Sequence, residues 1–173
     1  MPIYLFWEEN AMKKIGIVMG SDSDLPVVQK AVDTLKALNI PYEVHIYSAH
    51  RTPEEASRFA RSAREEGFGA LIAAAGMAAH LAGALAANTT LPVIGIPCKG
   101  GAMDGLDALL STVQMPSGIP VATVALNGGV NAALLAAQIL AVEDGTLAKR
   151  LEAKRQTDAR TVLEKDANIA SAL

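Results

Sequence analysis

The sequence predicts an α/β fold, in which a doubly wound parallel sheet of about five strands lies between two helical layers as a three-layer αβα domain. Short β-branched runs alternate with longer helical segments along the chain, as in parallel α/β folds. The run "ALIAAA" is apolar on both faces, which is typical of a strand that is covered by helices on both sides. Hydrophobic residues make up 51% of the 173 residues and charged residues 19%, so the chain can bury a substantial core.

Five segments have the composition of strands. The first, "KKIGIVMG", joins β-branched residues to a terminal glycine, which indicates a strand that ends in a turn. The others are, in order, "IPYEVHIY", "ALIAAA", "LPVIGIP" and "IPVATVAL". Because a helical segment separates each strand from the next, right-handed crossovers would make all five strands parallel. The arrangement is of the flavodoxin-like type.

The helices are predicted from apolar periodicity. The segment "LPVVQKAVDTLKALN" repeats its apolar residues at helical spacing, at Val28, Val32, Leu35 and Leu38. The third, fourth and fifth helices are "GMAAHLAGALAAN", "MDGLDALLSTV" and "VNAALLAAQILAVED". A C-terminal tail helix, from about Thr146 to Lys165, has apolar residues at Leu147, Leu151 and Val162. This tail has no obvious place in the two helical layers, which suggests that it packs on a neighbouring subunit.

The second helix has marked ends. Thr52 is expected to be its N-cap, Pro53 its first helical residue and Glu55 the partner of Thr52 in a capping box. Gly67 suits the C-terminal end of this helix.

Composition restricts the classes of function. The formal net charge is −3 and no Lys/Arg run is present, so nucleic acid is not an expected partner. No apolar run reaches the length of a membrane helix and the N-terminus does not resemble a signal peptide, so a cytoplasmic protein is expected. We predict a single domain over residues 12–173, and residues 1–11 are expected to be an N-terminal extension that activity does not need. Aromatic residues make up only 4%, and a core of small side chains favours additional burial in a homo-oligomer.

Polar and glycine-rich stretches follow the predicted strands. They read "GSDSD", "SAHRT", "GMAAH", "CKGGAMDG" and "NGG" after strands one to five. In an open parallel sheet, ligands bind at the carboxyl ends of the strands, near the point where the winding reverses. These stretches therefore predict a binding site along one edge of the sheet.

The first stretch, "GSDSDLP", fits two interpretations. Its hydroxyls and free amides could hold an anion at a helix N-terminus, while Asp24 could accept hydrogen bonds from sugar hydroxyls. It could also be a simple turn in which Ser23 or Asp24 caps the first helix. The stretch has neither the G-x-G-x-x-G spacing nor the G-K-[ST] ending of common phosphate loops, so neither a dinucleotide nor a triphosphate is indicated.

The second stretch, "SAHRT", predicts chemistry. Thr52 accounts for the helix start without help from Ser48, His50 or Arg51. Arginine offers a planar fork of donors for phosphate, and histidine is the side chain whose proton moves near neutral pH.

Three further polar residues have mixed interpretations. His80 begins an alanine-rich helix with few polar partners, so it could belong to the site or face solvent. His45 shares a strand face with Glu43 and Tyr47 and is interpreted as structural. Cys98 has no nearby base and is not predicted to be a nucleophile. The histidine spacing matches no metal site, and a lone cysteine forms no disulfide.

Six sequence blocks together resemble one known family. These blocks are "GIVMGSDSDLP", "SAHRTP", "GMAAHLAG", "LPVIGIP", "QMPSGIPVATVA" and "NAALLAAQIL", and they extend from about Lys14 to Leu140. They resemble the N5-carboxyaminoimidazole ribonucleotide mutases of bacterial purine biosynthesis. The resemblance implies transfer of a carboxylate from N5 to ring carbon C4 of a ribonucleotide, without metal, ATP or organic cofactor. It also implies an octamer whose C-terminal helix reaches an adjoining subunit, and functional coupling to an ATP-dependent synthetase.

The resemblance also implies roles for particular residues. His50 would be the acid/base, and Ser21, Asp24 and Arg51 would hold the phosphoribosyl group. The remaining substrate-binding residues of the predicted site are Ser23, Ser48, Gly76 and His80. Donation of a proton toward N5 would release carbon dioxide, which C4 of the electron-rich imidazole then attacks. A single histidine can both give and take the protons of these two steps.

Two positions depart from the family pattern. Met77 stands where a second glycine is usual, so the loop could be set differently or Met77 could line the pocket, and Ala82 replaces a common proline.

Three alternative functions are compared with the mutase. A direct carboxylase that uses free carbon dioxide is the nearest alternative. A receiver module would need an aspartate at the end of strand three, where the chain reads "AAAGM". A flavin carrier is disfavoured by the low aromatic content.

Overall fold

The computed structural model describes residues 12–170 and has a central sheet of five parallel strands in the order β2-β1-β3-β4-β5. The winding reverses between β1 and β3, so the doubly wound sheet predicted from the sequence is confirmed. The strands are β1 Lys14–Met19, β2 Tyr42–Ile46, β3 Phe68–Gly76, β4 Val93–Cys98 and β5 Ala122–Thr123.

Within the described residues, six α-helices accompany the sheet, and a 3-10 turn at Asp22–Asp24 precedes the first of them. They are α1 Leu25–Ala37, α2 Pro53–Ser62, α3 Leu81–Ala86, α4 Leu106–Val113, α5 Gly129–Ala141 and α6 Gly145–Ala170. On one face α1 packs against α5, and on the other α3 packs between α2 and α4. This arrangement gives the three layers.

Each face of the sheet has its own buried core. Adjacent residues of β3 divide between them, because side chains alternate along a strand: Ile72 belongs to the α1/α5 side and Leu71 to the α2/α3 side. The approach of α5 to α1 depends on Gly129, where a Cβ atom would lie 2.3 Å from the carbonyl oxygen of Val27. A side chain at that position would force the two helices apart.

The predicted ends of two elements need correction. At the start of α2, Thr52 is the N-cap residue, but the predicted capping box does not form: the Thr52 hydroxyl accepts from the amide of Ser48 at 2.8 Å instead. Glu55 pairs with Arg58 at 3.6 Å. Helix α2 ends at Ser62 with Ala63 as its C-cap, so the prediction that Gly67 ends this helix is wrong: Gly67 lies at φ 83° in the turn that leads into β3.

Strand β5 is shorter than "IPVATVAL" predicts. Only Ala122 and Thr123 form ladder pairs with β4, yet the amide of Val124 still donates to the carbonyl of Gly95 at 3.0 Å. Asn127 donates in the same way to Pro97 at 2.9 Å. The chain therefore continues along β4 through isolated hydrogen bonds, which positions the last loop beside the end of β4.

Helix α6 is longer than predicted and only its first turns are packed. Leu147 is fully buried, whereas Val162 is 64% exposed and the residues around it are also exposed. From residue 12 to residue 170, no helix is both long enough and apolar enough to span a membrane. The predicted extension at residues 1–11 lies outside the described residues.

Candidate functional site

A cleft of about 790 Å³ opens at the carboxyl ends of the strands, where the winding reverses. The loops that follow β1, β2, β3 and β4 form its walls. All eight residues predicted for the site line this cleft: Ser21, Ser23, Asp24, Ser48, His50, Arg51, Gly76 and His80. The structure therefore brings together three predicted stretches that are far apart along the chain, and the loop after β4 adds a fourth.

Two histidines meet in the cleft. Nε2 of His50 lies 2.8 Å from Nδ1 of His80, and the rings meet edge to face with centroids 5.0 Å apart. One ring must donate its N–H and the other must accept through a bare nitrogen. The pair can thus hold a proton between the rings while the outer nitrogens stay available to a ligand.

The loop after β2 is ordered by Ser48. Its hydroxyl accepts hydrogen bonds from the amides of His50 at 3.3 Å and Arg51 at 3.2 Å. This local turn presents both side chains to the cleft, and the Arg51 guanidinium reaches the carbonyl of Gly20 at 3.5 Å on the neighbouring loop. Among the residues that the structure describes, most of the guanidinium donors of Arg51 have no partner and can bind an anion.

The loop after β1 forms the 3-10 turn that precedes α1. The Ser21 hydroxyl accepts from the amide of Ser23 at 3.3 Å and donates to Asp22 at 3.0 Å. The alternative interpretation, in which Ser23 or Asp24 caps α1, is correct for the position of Asp24 but not for its side chain. Asp24 occupies the N-cap position, but within the described chain its carboxylate makes no capping hydrogen bond.

The Asp24 carboxyl is buried at the floor of the cleft, where only 8% of the residue is exposed. Burial raises its pKa above the ordinary value of 3.8, although hydrogen bonds from Cys98 and Ser21 act in the opposite direction. Burial, reinforced by the Asp24 charge, raises the pKa of the Cys98 thiol to about 12. Cys98 is thus a protonated thiol at neutral pH, which agrees with the prediction that it is not a nucleophile.

The loop after β3 adopts an unusual backbone conformation. Met77 takes φ 53°, in the left-handed region, and its side chain is 64% exposed at the cleft. The methionine therefore does not avoid positive φ, and it also lines the pocket. Gly76 pairs with Cys98 in the β3–β4 ladder. Ala82 is buried in α3, so the position at which the family commonly has proline lies in this helix and does not line the cleft.

The loop after β4 contributes residues that the sequence did not single out. Lys99, Gly100 and Gly101 line the cleft, and the Lys99 amide donates to Oδ1 of Asn127 at 2.9 Å. The signal was present in "CKGGAMDG", whose position after a strand placed it on the same edge. His45 lies outside the cleft and stacks on Tyr47 with centroids 5.1 Å apart, in agreement with its structural interpretation.

The cleft combines chemically distinct groups. The serine hydroxyls and Arg51 suit a phosphate, the buried Asp24 suits sugar hydroxyls, and the histidine pair suits proton transfer. Within residues 12–170, the His, Cys, Asp and Glu side chains form no cluster of three or more that could hold a metal ion. Such a cleft can bind a small phosphorylated ligand and exchange a proton with it.

Comparison with known proteins identifies relatives over nearly the whole chain. The family model described as AIR carboxylase matches residues 14–161. The N5-carboxyaminoimidazole ribonucleotide mutase of Bacillus subtilis is 53% identical over 152 residues, which cover 87% of this chain and 94% of that protein. The mutase of Thermotoga maritima is 49% identical over 154 residues, covering 89% and 90% of the two chains.

Two other relatives extend the comparison. The phosphoribosylaminoimidazole carboxylase of Saccharomyces cerevisiae is 54% identical over 138 residues, which cover 80% of this chain but 24% of that protein. The crystal structure of Treponema denticola PurE superposes with a TM-score of 0.79 at 30% identity and covers 89% of this chain. Fold, family model and relatives agree with the resemblance of the six sequence blocks, and the chain belongs to the AIR carboxylase family.

Proposed function

We propose that this chain is an isomerase of purine biosynthesis that converts N5-carboxyaminoimidazole ribonucleotide to 4-carboxyaminoimidazole ribonucleotide. The observation that carries the proposal is the contact of 2.8 Å between His50 and His80, inside a cleft whose other loops suit a phosphoribosyl group. Two mutases that are about half identical to this chain support the same assignment.

The proposed binding mode follows the chemistry of the loops. Arg51 and the hydroxyls of Ser21, Ser23 and Ser48 take the phosphate, since they lie on the adjacent loops of β1 and β2. Asp24 accepts from the ribose hydroxyls. The imidazole then extends over the switch point toward the histidine pair and Gly76, where the backbone carries no side chain.

The reaction needs two proton transfers that cancel. His50 donates a proton to N5 as the N5–carboxylate bond breaks and carbon dioxide is released within the cleft. The C4 atom of the electron-rich imidazole attacks the carbon dioxide, the C4–carbon bond forms, and His50 takes the proton that leaves C4. No proton is gained or lost overall, so the histidine returns to its starting state. His80 holds the His50 ring in position and shares its proton.

The alternative is a carboxylase that uses aminoimidazole ribonucleotide and free carbon dioxide. Relatives with the carboxylase name are as similar in sequence as the mutases, so identity does not separate the two activities. The alignment covers 94% of the Bacillus subtilis mutase and 24% of the yeast carboxylase, and an activity assay with both substrates distinguishes the two activities.

The proposal includes a homo-oligomer in the cytoplasm. Helix α6 extends past its packing on α5 and carries exposed apolar side chains at Val162, Leu163 and Ile169. Helix α4 has exposed apolar side chains at helical spacing, at Leu106, Leu110 and Val113. These two surfaces support contacts between subunits, and the family resemblance implies an octamer. Functional coupling to an ATP-dependent synthetase would suit an unstable carbamate substrate.

The activity assay supplies N5-carboxyaminoimidazole ribonucleotide at low carbon dioxide, without ATP or added metal, and follows the C4 carboxylate by absorbance. Rapid product formation is expected. Product that forms only from aminoimidazole ribonucleotide with high bicarbonate would assign the carboxylase instead. No turnover of either substrate by the folded protein would refute both assignments.

A further inference from the structure

Lys99 lines the cleft, but the proposed mechanism gives it no role. Arg51 and Lys99 are the only lysine or arginine residues that line the cleft within the described chain. Arg51 follows β2 and Lys99 follows β4, and the strands β1 and β3 lie between them. Because neighbouring strands are ~4.8 Å apart, these two strand ends are separated by ~14 Å. The cleft therefore has a basic residue on the loop at each of its ends.

The substrate of the proposed reaction is also charged at its two ends. Its phosphate is carried on the ribose, and its carboxylate is carried on the aminoimidazole. The phosphate suits the Arg51 end, because the hydroxyls of Ser21 and Ser48 lie on that side. The aminoimidazole end then points toward β4. We propose that Lys99 binds the substrate carboxylate and thereby distinguishes carboxylated ribonucleotides from aminoimidazole ribonucleotide, an inference that rests on the proposed function.

The loop after β4 adjoins the loop that carries His80. Cys98 pairs with Gly76 at the end of the β3–β4 ladder, so Lys99 is the first residue beyond that pair. A Cβ atom at Gly101 would lie 3.4 Å from Cγ of Met77. The two loops are thus in contact along this wall, and in the proposed binding mode the Lys99 side chain lies at the end of the cleft that receives the aminoimidazole.

The backbone of Lys99 is fixed while its ammonium group is easily redirected. Asn127 accepts from the Lys99 amide at 2.9 Å and donates its own amide to Pro97 at 2.9 Å, which ties the start of the loop to β4. The Lys99 ammonium lies 3.4 Å from the Asp104 carboxylate, and the two side chains are 51% and 79% exposed. Ion pairs this exposed contribute little, so a ligand carboxylate can replace Asp104.

The test is calorimetric titration of two ligands into the full-length protein. The product 4-carboxyaminoimidazole ribonucleotide is stable and carries both anions, whereas aminoimidazole ribonucleotide carries the phosphate alone. For Lys99→Met we expect the Kd of the carboxylated ligand to rise about tenfold, the usual effect of losing one charge-assisted contact. The Kd of aminoimidazole ribonucleotide should not change. Lys99→Arg keeps the charge and should retain most of the affinity.

The control variant is Lys36→Met, which removes an exposed lysine of α1 outside the cleft and should change neither Kd. Equal weakening of both ligands by Lys99→Met would overturn the inference, since Lys99 would then act on the phosphate or on the loop as a whole. Unchanged affinity for the carboxylated ligand, or equal losses in Lys99→Met and Lys99→Arg, would also overturn it. Failure of the unaltered protein to bind either ligand would refute the proposed function instead.

Discussion

His50 and His80 face each other across the cleft, with Nε2 of the first 2.8 Å from Nδ1 of the second. They follow β2 and β3, the two strands that flank β1, so the pair bridges the point where the winding of the sheet reverses. Two imidazoles in a hydrogen bond can exchange a proton near neutral pH. The proposed reaction needs such a group, because it gives one proton to the substrate and later removes another.

His50→Asn is expected to keep the fold and bind aminoimidazole ribonucleotide but to lose turnover. Removal of a positioned acid/base usually lowers the rate ~10²–10⁴-fold. Steady-state assays measure the loss, and calorimetric titration measures binding. His45→Asn is the matched control, since His45 is a histidine outside the cleft and should retain turnover. Near-normal activity of His50→Asn would refute the role of His50.

Asp24→Asn is expected to raise the thermal midpoint at neutral pH and to weaken ribonucleotide binding. Burial raises the pKa of Asp24 above 3.8, so the folded state holds this proton more tightly than the unfolded state. The extra stability that the more tightly held proton gives the folded state is complete below pH 3.8, and it is lost as the pH rises through the folded-state pKa of Asp24. Above that pKa the buried carboxylate is charged at a cost in stability, which the amide avoids.

Thermal melts at neutral pH and near pH 3 test this sign. The increase in the thermal midpoint caused by Asp24→Asn should be present at neutral pH and should shrink toward zero in acid. Asp33→Asn, an exposed residue on α1, should show no such trend. A lower midpoint of Asp24→Asn at neutral pH would mean that hydrogen bonds to the carboxylate outweigh the cost of its burial.

The Cys98 thiol is expected to be unreactive in the folded protein. A pKa of about 12 leaves almost no thiolate at neutral pH, and the residue is only 3% exposed. Titration with a disulfide reagent at neutral pH should give no fast colour from the native chain and one thiol per chain in denaturant. Complete reaction of the native protein within minutes would contradict the burial and the raised pKa.

Met77→Gly is expected to be tolerated better than Met103→Gly. Both methionines are exposed, at 64% and 54%, but only Met77 lies at positive φ, 53°. A side chain in the left-handed region costs ~1–2 kcal/mol, which glycine recovers at position 77 and not at position 103. Urea denaturation of the two variants measures the difference directly. Equal losses of stability would show that Met77 is not strained.

Most of the fold could be predicted because each element has a local signal. The strand "KKIGIVMG" and the spacing of Val28, Val32 and Leu35 are patterns that burial on a sheet face or a helix face requires. The capping box at Thr52 did not form because the amide of Ser48, four residues earlier, donates to the same hydroxyl at 2.8 Å, and the sequence pattern does not show which of the two amides the hydroxyl accepts from. The length of β5 was overestimated because its strand-like composition belongs to a segment at the edge of the sheet, where two residues form ladder pairs with β4.

The site could be predicted as a set of residues but not as a geometry. Parallel strands all end at the same edge of the sheet, so the polar stretches after them had to converge. The contact of His50 with His80 depends on the paths of two loops, including a left-handed backbone at Met77. The stretch "CKGGAMDG" indicated that Lys99 lies at this edge of the sheet, but one lysine in a glycine-rich stretch does not indicate that its side chain binds a ligand.

The central claim is that the carboxylate moves from N5 to C4 within this cleft. The most direct measurement supplies substrate labelled with ¹³C in the N5 carboxylate, in buffer with unlabelled bicarbonate, and follows the label by NMR. The account predicts that the C4 carboxylate of the product carries the label from the first turnovers. Unlabelled product, formed at a rate that rises with bicarbonate, would contradict it and show that the carboxylate comes from solution.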